Sequence, residues 1–489
     1  MESLVLAIDQ GTSSTKALLV NAAGELVARA SVPVSQSHPA PGLAEQDAGE
    51  LLGSVRDAVA ACLRGFDARA VAGIGLSTQR ESVVLWDAVT GRPVAPLISW
   101  QDQRGAVRAA ELIDKGYGDL VRRRTGLPLD PMFSALKMAA LLDRHDPSRE
   151  RSERGELRLG TVDAWLLTSL TGSFVTEIGN ASRTQLLDLE TGDWDEELLE
   201  IFGVPRAALG RVVPSTGPFG ETGDLAPLPA GVPVLAVLGD SHAALFAHAG
   251  WRPGVVKATY GTGSSVMTVA GTRGPAGAVC DTIAWSTGRP TFACEANIRS
   301  SGRTLTWLAE LLGISMDVLV DLAAGADAGD VTLVPAFGGL GAPWWDSRAV
   351  PVLAGFGFGT GRAQLARAAL ESVAHQVDDV LAGMPDADRV FADGGLTRSG
   401  ALMQLQADLS VVEVARTRHH ELSAAGVADL AGLGLGLWTT GDLEQRADSG
   451  LEVFTPAWSD ERRGTAVARW HAVLRTARDL GAHAIERMS

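Results

Sequence analysis

Cysteine is scarce: Cys62, Cys280 and Cys294 stand far apart in 489 residues, with no partner pattern. That excludes a disulfide framework and fits a reducing, cytoplasmic compartment, the three being read as ordinary buried thiols. Positive charge is short as well. Against 58 aspartates and glutamates stand 42 lysines and arginines, a formal net charge of −16. That disfavours a general affinity for nucleic acid or an anionic membrane, although a local anion site is still allowed. No apolar run is long enough for a bilayer, because the stretch from Leu430 to Trp438 is broken by Gly432, Gly434 and Gly436. The N-terminus enters a strand, Leu4 to Ile8, without a basic region or cleavage site, so no signal peptide is expected. Two nucleotide motifs are also missing. There is no G-x-x-x-x-G-K-[ST] loop, and Gly355-Phe356-Gly357-Phe358-Gly359 departs from the dinucleotide fingerprint.

What is present reads as a large α/β protein. Strand-like runs (Val71 to Leu76, Val83 to Trp86, Val234 to Leu238, Arg389 to Ala392) alternate with helical ones. Over Gln364 to Leu381, Leu365, Ala369, Val373, Val377 and Val380 recur at helical spacing, opposite Asp378 and Asp379. A repeat organises the chain. Strand Leu4–Ile8 leads into Asp9-Gln10-Gly11-Thr12-Ser13-Ser14-Thr15-Lys16 and a second strand; half a chain later, Val255–Tyr260 leads into Gly261-Thr262-Gly263-Ser264-Ser265 and another. Two similar domains, 1–248 and 249–489, are expected to face each other across a cleft. The boundary is expected at the turn-rich Ala249-Gly250-Trp251-Arg252-Pro253-Gly254.

The hairpin tips suit phosphate, which needs N–H donors, hydroxyls, a cation and close backbone approach. Gly11, Thr12, Ser13, Ser14 and Lys16 supply these, with Gly261, Thr262 and Gly263 in the second tip. Asp9, ending the first strand, sits where a carboxylate would hold Mg²⁺ through water. Gly239-Asp240-Ser241-His242 ends another strand, which aims Asp240 into the cleft as a proton acceptor or makes it a helix cap. His242 is expected to be a core or helix-start residue. Arg80 beside Glu81 offers matched donors and acceptors for a polyhydroxylated substrate, or else a surface ion pair. Gly394 and Gly395 allow a flat ring to lie on the backbone, with Ser399 able to bond a base edge, although a plain strand-to-helix turn explains the segment equally well.

In order along the chain, these segments together with Ser77–Glu81, Gly160–Leu166, Asn180–Thr184, Gly339–Asp346 and Asp393–Gly395 resemble the FGGY carbohydrate kinases, most closely the glycerol kinases among them. The resemblance covers nearly the whole chain. It implies two actin-like, ribonuclease-H-like domains with ATP and Mg²⁺ between them, Asp9 and Asp240 serving the metal. It implies Asp240 as general base, with Arg80, Glu81, Trp100 and Asp240 around a small polyol or sugar; a homodimer is compatible with it. Three positions depart from the glycerol-kinase pattern: Met132 replaces Tyr, Ser241 replaces Gln, and Ser265 replaces a Phe over the carbon chain. The segment Leu225–Gly231 lacks the basic, Gly-rich character of an allosteric loop. A four- or five-carbon polyol is thus expected to suit the site better than glycerol. The alternatives are a ketopentose kinase, disfavoured by Gln79-Arg80-Glu81 where such enzymes carry Gln-x-His, and a non-catalytic sugar sensor, disfavoured by retention of Asp9 and Asp240.

Overall fold

The computed structural model describes residues 3–223, 225–271, 279–417 and 421–486. Its N-terminal half is built on strands β1 (Leu4–Gln10), β2 (Ser14–Val20), β3 (Leu26–Pro33), β4 (Val71–Thr78) and β5 (Val234–Gly239), ordered β5-β4-β1-β2-β3. Strands β1, β4 and β5 run parallel, while β1, β2 and β3 form an antiparallel meander. The C-terminal half repeats the plan with β6 (Val255–Tyr260), β7 (Ser264–Ala270), β8 (Cys280–Ser286), β9 (Pro290–Ile298), β10 (Arg389–Asp393), β11 (Glu413–Arg416) and β12 (Glu452–Phe454). Its order is β8-β9-β7-β6-β10-β11-β12, with β6, β10 and β11 parallel. Matching β3-β2-β1-β4-β5 to β9-β7-β6-β10-β11 relates the halves strand by strand. The expected doubled α/β fold is therefore present.

The near-continuous apolar run of β1 follows from burial on both faces. Leu4, Leu6 and Ile8 enter one core with Trp86 and Trp165, while Val5 and Ala7 enter a second with Met267, Trp285 and Val427 from the C-terminal half. That second core is the junction between the halves. Helix α1 (Ser134–His145) supports the substrate side, and α2 (Asp240–Ala247) follows β5 directly. Residues 249–254 run as turn, with Ala249 and Gly254 at positive φ.

Helix α3 (Arg362–Leu381) is the helix expected from periodicity, starting two residues earlier because Gln364 caps the Gly361 N–H. Asp379, opposite the apolar row, accepts from Trp470 Nε1 at 2.7 Å and lies 2.7 Å from His471 Nε2, because the C-terminal helix Asp460–Glu486 covers it. Helix α4 (Leu422–Gly434) contains most of the apolar late stretch and packs against β1, β4, β5 and α2 of the other half. Glycines make that approach close enough. A Cβ on Gly426 would come within 1.8 Å of the Ala243 carbonyl, and one on Gly75 within 2.3 Å of the Val427 carbonyl. No helix among the described residues is long and apolar enough to cross a membrane.

Candidate active site

Arg80 and Glu81 lie in the turn that follows β4, with Glu81 held at φ 62°, a strained value for a side chain with a Cβ. They do not form the surface ion pair that was one reading of the sequence. Both are buried, 4.0 Å apart at closest, and each is paired elsewhere. Arg80 grips Glu295 of β9 with both terminal nitrogens, each at 2.7 Å, and its Nη1 lies 3.2 Å from His242 Nε2. Glu81 accepts from Arg183 Nε at 2.7 Å, and Arg183 Nη1 lies 3.2 Å from Glu295. Burial opposes ionisation of Arg80, but Glu295 and Glu81 outweigh it and hold the guanidinium charged. At Glu295, too, burial is outweighed, here by Arg183 and Arg80, which hold its carboxyl below the usual range. His242 is buried at the helix start as expected, and burial keeps it neutral.

This network leaves one edge of Arg80 uncommitted. Its Nε makes no hydrogen bond and lies 3.5 Å from Asp240 Oδ1. Asp240 is the first residue of α2; its cap is Gly239, and Oδ1 accepts the Ser241 N–H at 2.6 Å. Although 36% of its side chain faces the cleft, the surrounding protein disfavours its charged form and raises its pKa, with Arg80 opposing. Trp100 donates its indole N–H to Thr12 Oγ1 at 3.0 Å, which ties the substrate side to the first hairpin tip. Met132 packs with Leu127, Phe133, Cys280 and Trp345. Lys137 of α1 pins that loop by donating to the carbonyls of Pro131, Met132 and Phe133, and burial pushes its pKa down to about 7. Ser265 lies in a cross-strand row, Thr259–Ser265–Asn297, and its hydroxyl oxygen is buried with no hydrogen-bond partner.

A cavity of about 880 Å³ opens beside Asp240, lined among others by Ser241, Lys257, Thr259, Asp393, Gly394 and Gly395. Ser241 thus faces this cavity rather than only the substrate side. Gly394, at φ 96°, presses against β6, where a Cβ would meet the Tyr260 carbonyl at 2.5 Å, whereas Gly395 borders open space. Ser399 does not line the cavity; its hydroxyl caps the helix Gly400–Ser410 by accepting the Leu402 N–H at 3.2 Å. Both tips close alike: Gly11 N–H donates to Ser14 O at 3.0 Å, and Gly261 N–H to Gly263 O at 2.9 Å. Thr12, Ser13, Ser14, Thr262 and Gly263 complete those tips at the surface or half-buried. Lys16 is not free for an anion, being paired with Glu421 at 2.6 Å. Burial pushes Asp9 up to about 6; Lys16 opposes this, the Asp240 charge adds to it, and Ser77 donates to its carboxylate at 2.9 Å. Asp9 and Asp240, near enough that the Asp240 charge raises the Asp9 pKa, fit a shared cation held largely by substrate phosphates. No cluster of three or more ligating side chains exists among the described residues.

Sequence reasoning missed Glu295 and Lys257, and it gave Arg183, inside the Asn180–Thr184 segment, no role. For Glu295 and Lys257 the signal was a lone charge inside an apolar strand, Phe292-Ala293-Cys294-Glu295-Ala296 and Val255-Val256-Lys257-Ala258, which must be paired or put to use.

The N-terminal-domain model of the FGGY family of carbohydrate kinases matches residues 4–247, and the C-terminal-domain model matches residues 256–435. The chain is 39% identical over 487 residues to an apulose kinase of Pectobacterium atrosepticum, covering 97% of this chain and 98% of that protein. It is 41% identical over 494 residues to a glycerol kinase of Aromatoleum aromaticum, covering 97% and 99%. A crystal structure of Plasmodium falciparum glycerol kinase with ADP superposes with a TM-score of 0.92 at 26% identity, covering 97% of this chain and 98% of that one. Two matched domain models and relatives aligned end to end agree with the doubled fold and the cleft between its halves: the chain belongs to the FGGY family of carbohydrate kinases and is an ATP-dependent phosphotransferase acting on a hydroxyl of a small polyol or sugar.

Proposed function

We propose that the preferred substrate is a polyol or sugar of four or five carbons rather than glycerol, and that Asp240 is the general base. The carrying observation is the polar row Thr259–Ser265–Asn297, where the Ser265 hydroxyl is enclosed without a partner. A buried hydroxyl left unpaired is costly, and a further substrate hydroxyl would satisfy it. Met132, set among apolar side chains, has no hydroxyl to offer a three-carbon substrate. The apulose kinase relative supports acceptance of a larger molecule.

In this reading residues 1–248 hold the acceptor and base, and residues 249–489 hold the nucleotide. Arg80, fixed by Glu295, donates from Nε to a substrate oxygen, and Glu81 accepts from a neighbouring hydroxyl. Asp240 takes the proton of the attacking hydroxyl as its oxygen bonds to the γ-phosphorus; the bond to the β-phosphate oxygen breaks and ADP leaves. Asp9 and Asp240 would hold Mg²⁺, which when bound neutralises phosphate charge. Gly11 to Ser14 and Gly261 to Gly263 approach the phosphates, while Gly394 and Gly395 border the base. The reducing compartment inferred from three buried free cysteines supports a cytoplasmic site of action.

The test is kcat/KM for glycerol, erythritol, threitol, ribitol, arabinitol, xylulose and apulose under one set of conditions. With Met132 where the glycerol kinases carry Tyr and Ser241 where they carry Gln, two lost hydrogen bonds should weaken glycerol by about 5- to 150-fold. A preference for glycerol of about tenfold over every other compound overturns the substrate reading.

A further inference from the structure

Lys257 stands near the middle of β6 with 2% of the residue exposed, yet it lines the cavity. Side chains alternate along the strand. Val256, Ala258 and Tyr260 enter the C-terminal core, which leaves Lys257 and Thr259 on the cleft face. Among the described residues the Lys257 ammonium makes no hydrogen bond and no ion pair. Two carboxylates nevertheless feel its charge, Asp240 on one side and Asp393 on the other. A lysine whose only work was to neutralise one of them would sit against it, since an ammonium buried without a partner is costly. This one sits against neither.

The other cations around the cleft are committed. Arg80 is clamped by Glu295, and Lys16 is paired with Glu421. Arg416 is paired with Glu452 and donates to the Thr397 carbonyl at 2.6 Å, and Arg398 is exposed at the rim. His248 lies 3.6 Å from Asp393. A nucleotide whose base borders Gly395 and whose terminal phosphate reaches Asp240 must pass its polyphosphate over the floor between Asp393 and Asp240, where Lys257 lies. Resting on the reading of this cavity as the nucleotide site, we propose that Lys257 binds the polyphosphate, its ammonium contacting the β- and γ-phosphate oxygens from the cleft floor. Its charge then faces the bond that breaks, where negative charge accumulates on the β-phosphate as the phosphoryl group leaves.

The test compares ATP, ADP and adenosine binding by calorimetry in the wild type and in Lys257→Met, with the melting temperature of the unliganded proteins as control. Loss of a charge-assisted contact should weaken ATP and ADP by about 10- to 100-fold and leave adenosine within about threefold. Wild-type-like ATP and ADP affinity overturns the proposal; so does an equal loss for adenosine, which marks a structural role. Lys257→Gln, shorter and still polar, is judged by the same ratio should the Met variant not fold. Photolabelling of the wild type with 8-azido-ATP separates the two layers of inference. Label on residues 394–398, 416–417 or 422–423 supports the cavity as the nucleotide site and lets the Lys257 result stand alone. Label confined to other segments overturns both.

Discussion

The two hairpins, β1–β2 and β6–β7, are copies in backbone and opposites in charge. Each has a glycine-led tip closed by one short hydrogen bond, and each lies antiparallel to its partner and parallel to the next strand, β4 or β10. On the cleft-facing side, however, β1 shows Val5, Ala7 and then Asp9, whereas β6 shows Val255, Lys257 and Thr259. The first strand buries its apolar residues in the junction between halves and ends in a carboxylate. The second carries an ammonium halfway along and a hydroxyl near its end. A scaffold doubled in this way makes a site with distinct ends, because the two cleft faces diverged while the two outward cores remained apolar.

The largest test of that asymmetry removes the carboxylate that no counterpart replaces. Asp240→Asn should lower kcat by ~100- to 10,000-fold while the melting temperature barely moves, since Asn is isosteric; retention of more than about a tenth of kcat sinks the assignment. Next comes the bridge between halves. Glu295→Ala strips buried Arg80 of its two-pronged carboxylate partner and leaves Arg183 with Glu81 alone, and equilibrium denaturation should report a loss of about 3–5 kcal/mol. Gly426→Ala tests the junction itself: forcing a methyl into the Ala243 backbone should cost about 1–3 kcal/mol by the same measurement.

A pH profile sharpens the comparison further. Asp240 must be ionised to accept a proton, and enclosure raises its pKa. The acid limb of kcat/KM, which reports the free enzyme, should therefore fall as pH drops through a value above the ordinary aspartate 3.8. An inflection at or below that value argues against Asp240 as the base. The smallest effect is expected at Lys16, the cation of the first hairpin. Its pairing with Glu421 is partly exposed, so Lys16→Met should change stability by no more than about 1 kcal/mol and ATP affinity by only a few-fold. A larger loss at Lys16 than at Lys257 would reverse the roles assigned to the two hairpins.

Sequence by itself determined the α/β alternation, the repeat half a chain apart, the α3 helix and the motifs that mark the cleft, because each is local: strand runs, turn glycines and helical spacing are written within a few residues. It also flagged Arg80, Glu81 and Asp240. Only the tertiary structure decided what those groups are free to do. Arg80 read as a fork for substrate, but Glu295, 215 positions away, occupies both prongs and leaves Nε. Ser399 read either as a base contact or as part of a plain strand-to-helix turn, and it is a helix cap. Lys16 read as the phosphate cation and is paired across the cleft, while Lys257 went unnoticed inside an apolar strand. The physical reason is common to all four. A side chain's chemistry is set by its type, but its availability depends on partners brought near by folding, and spacing along the chain carries no record of them.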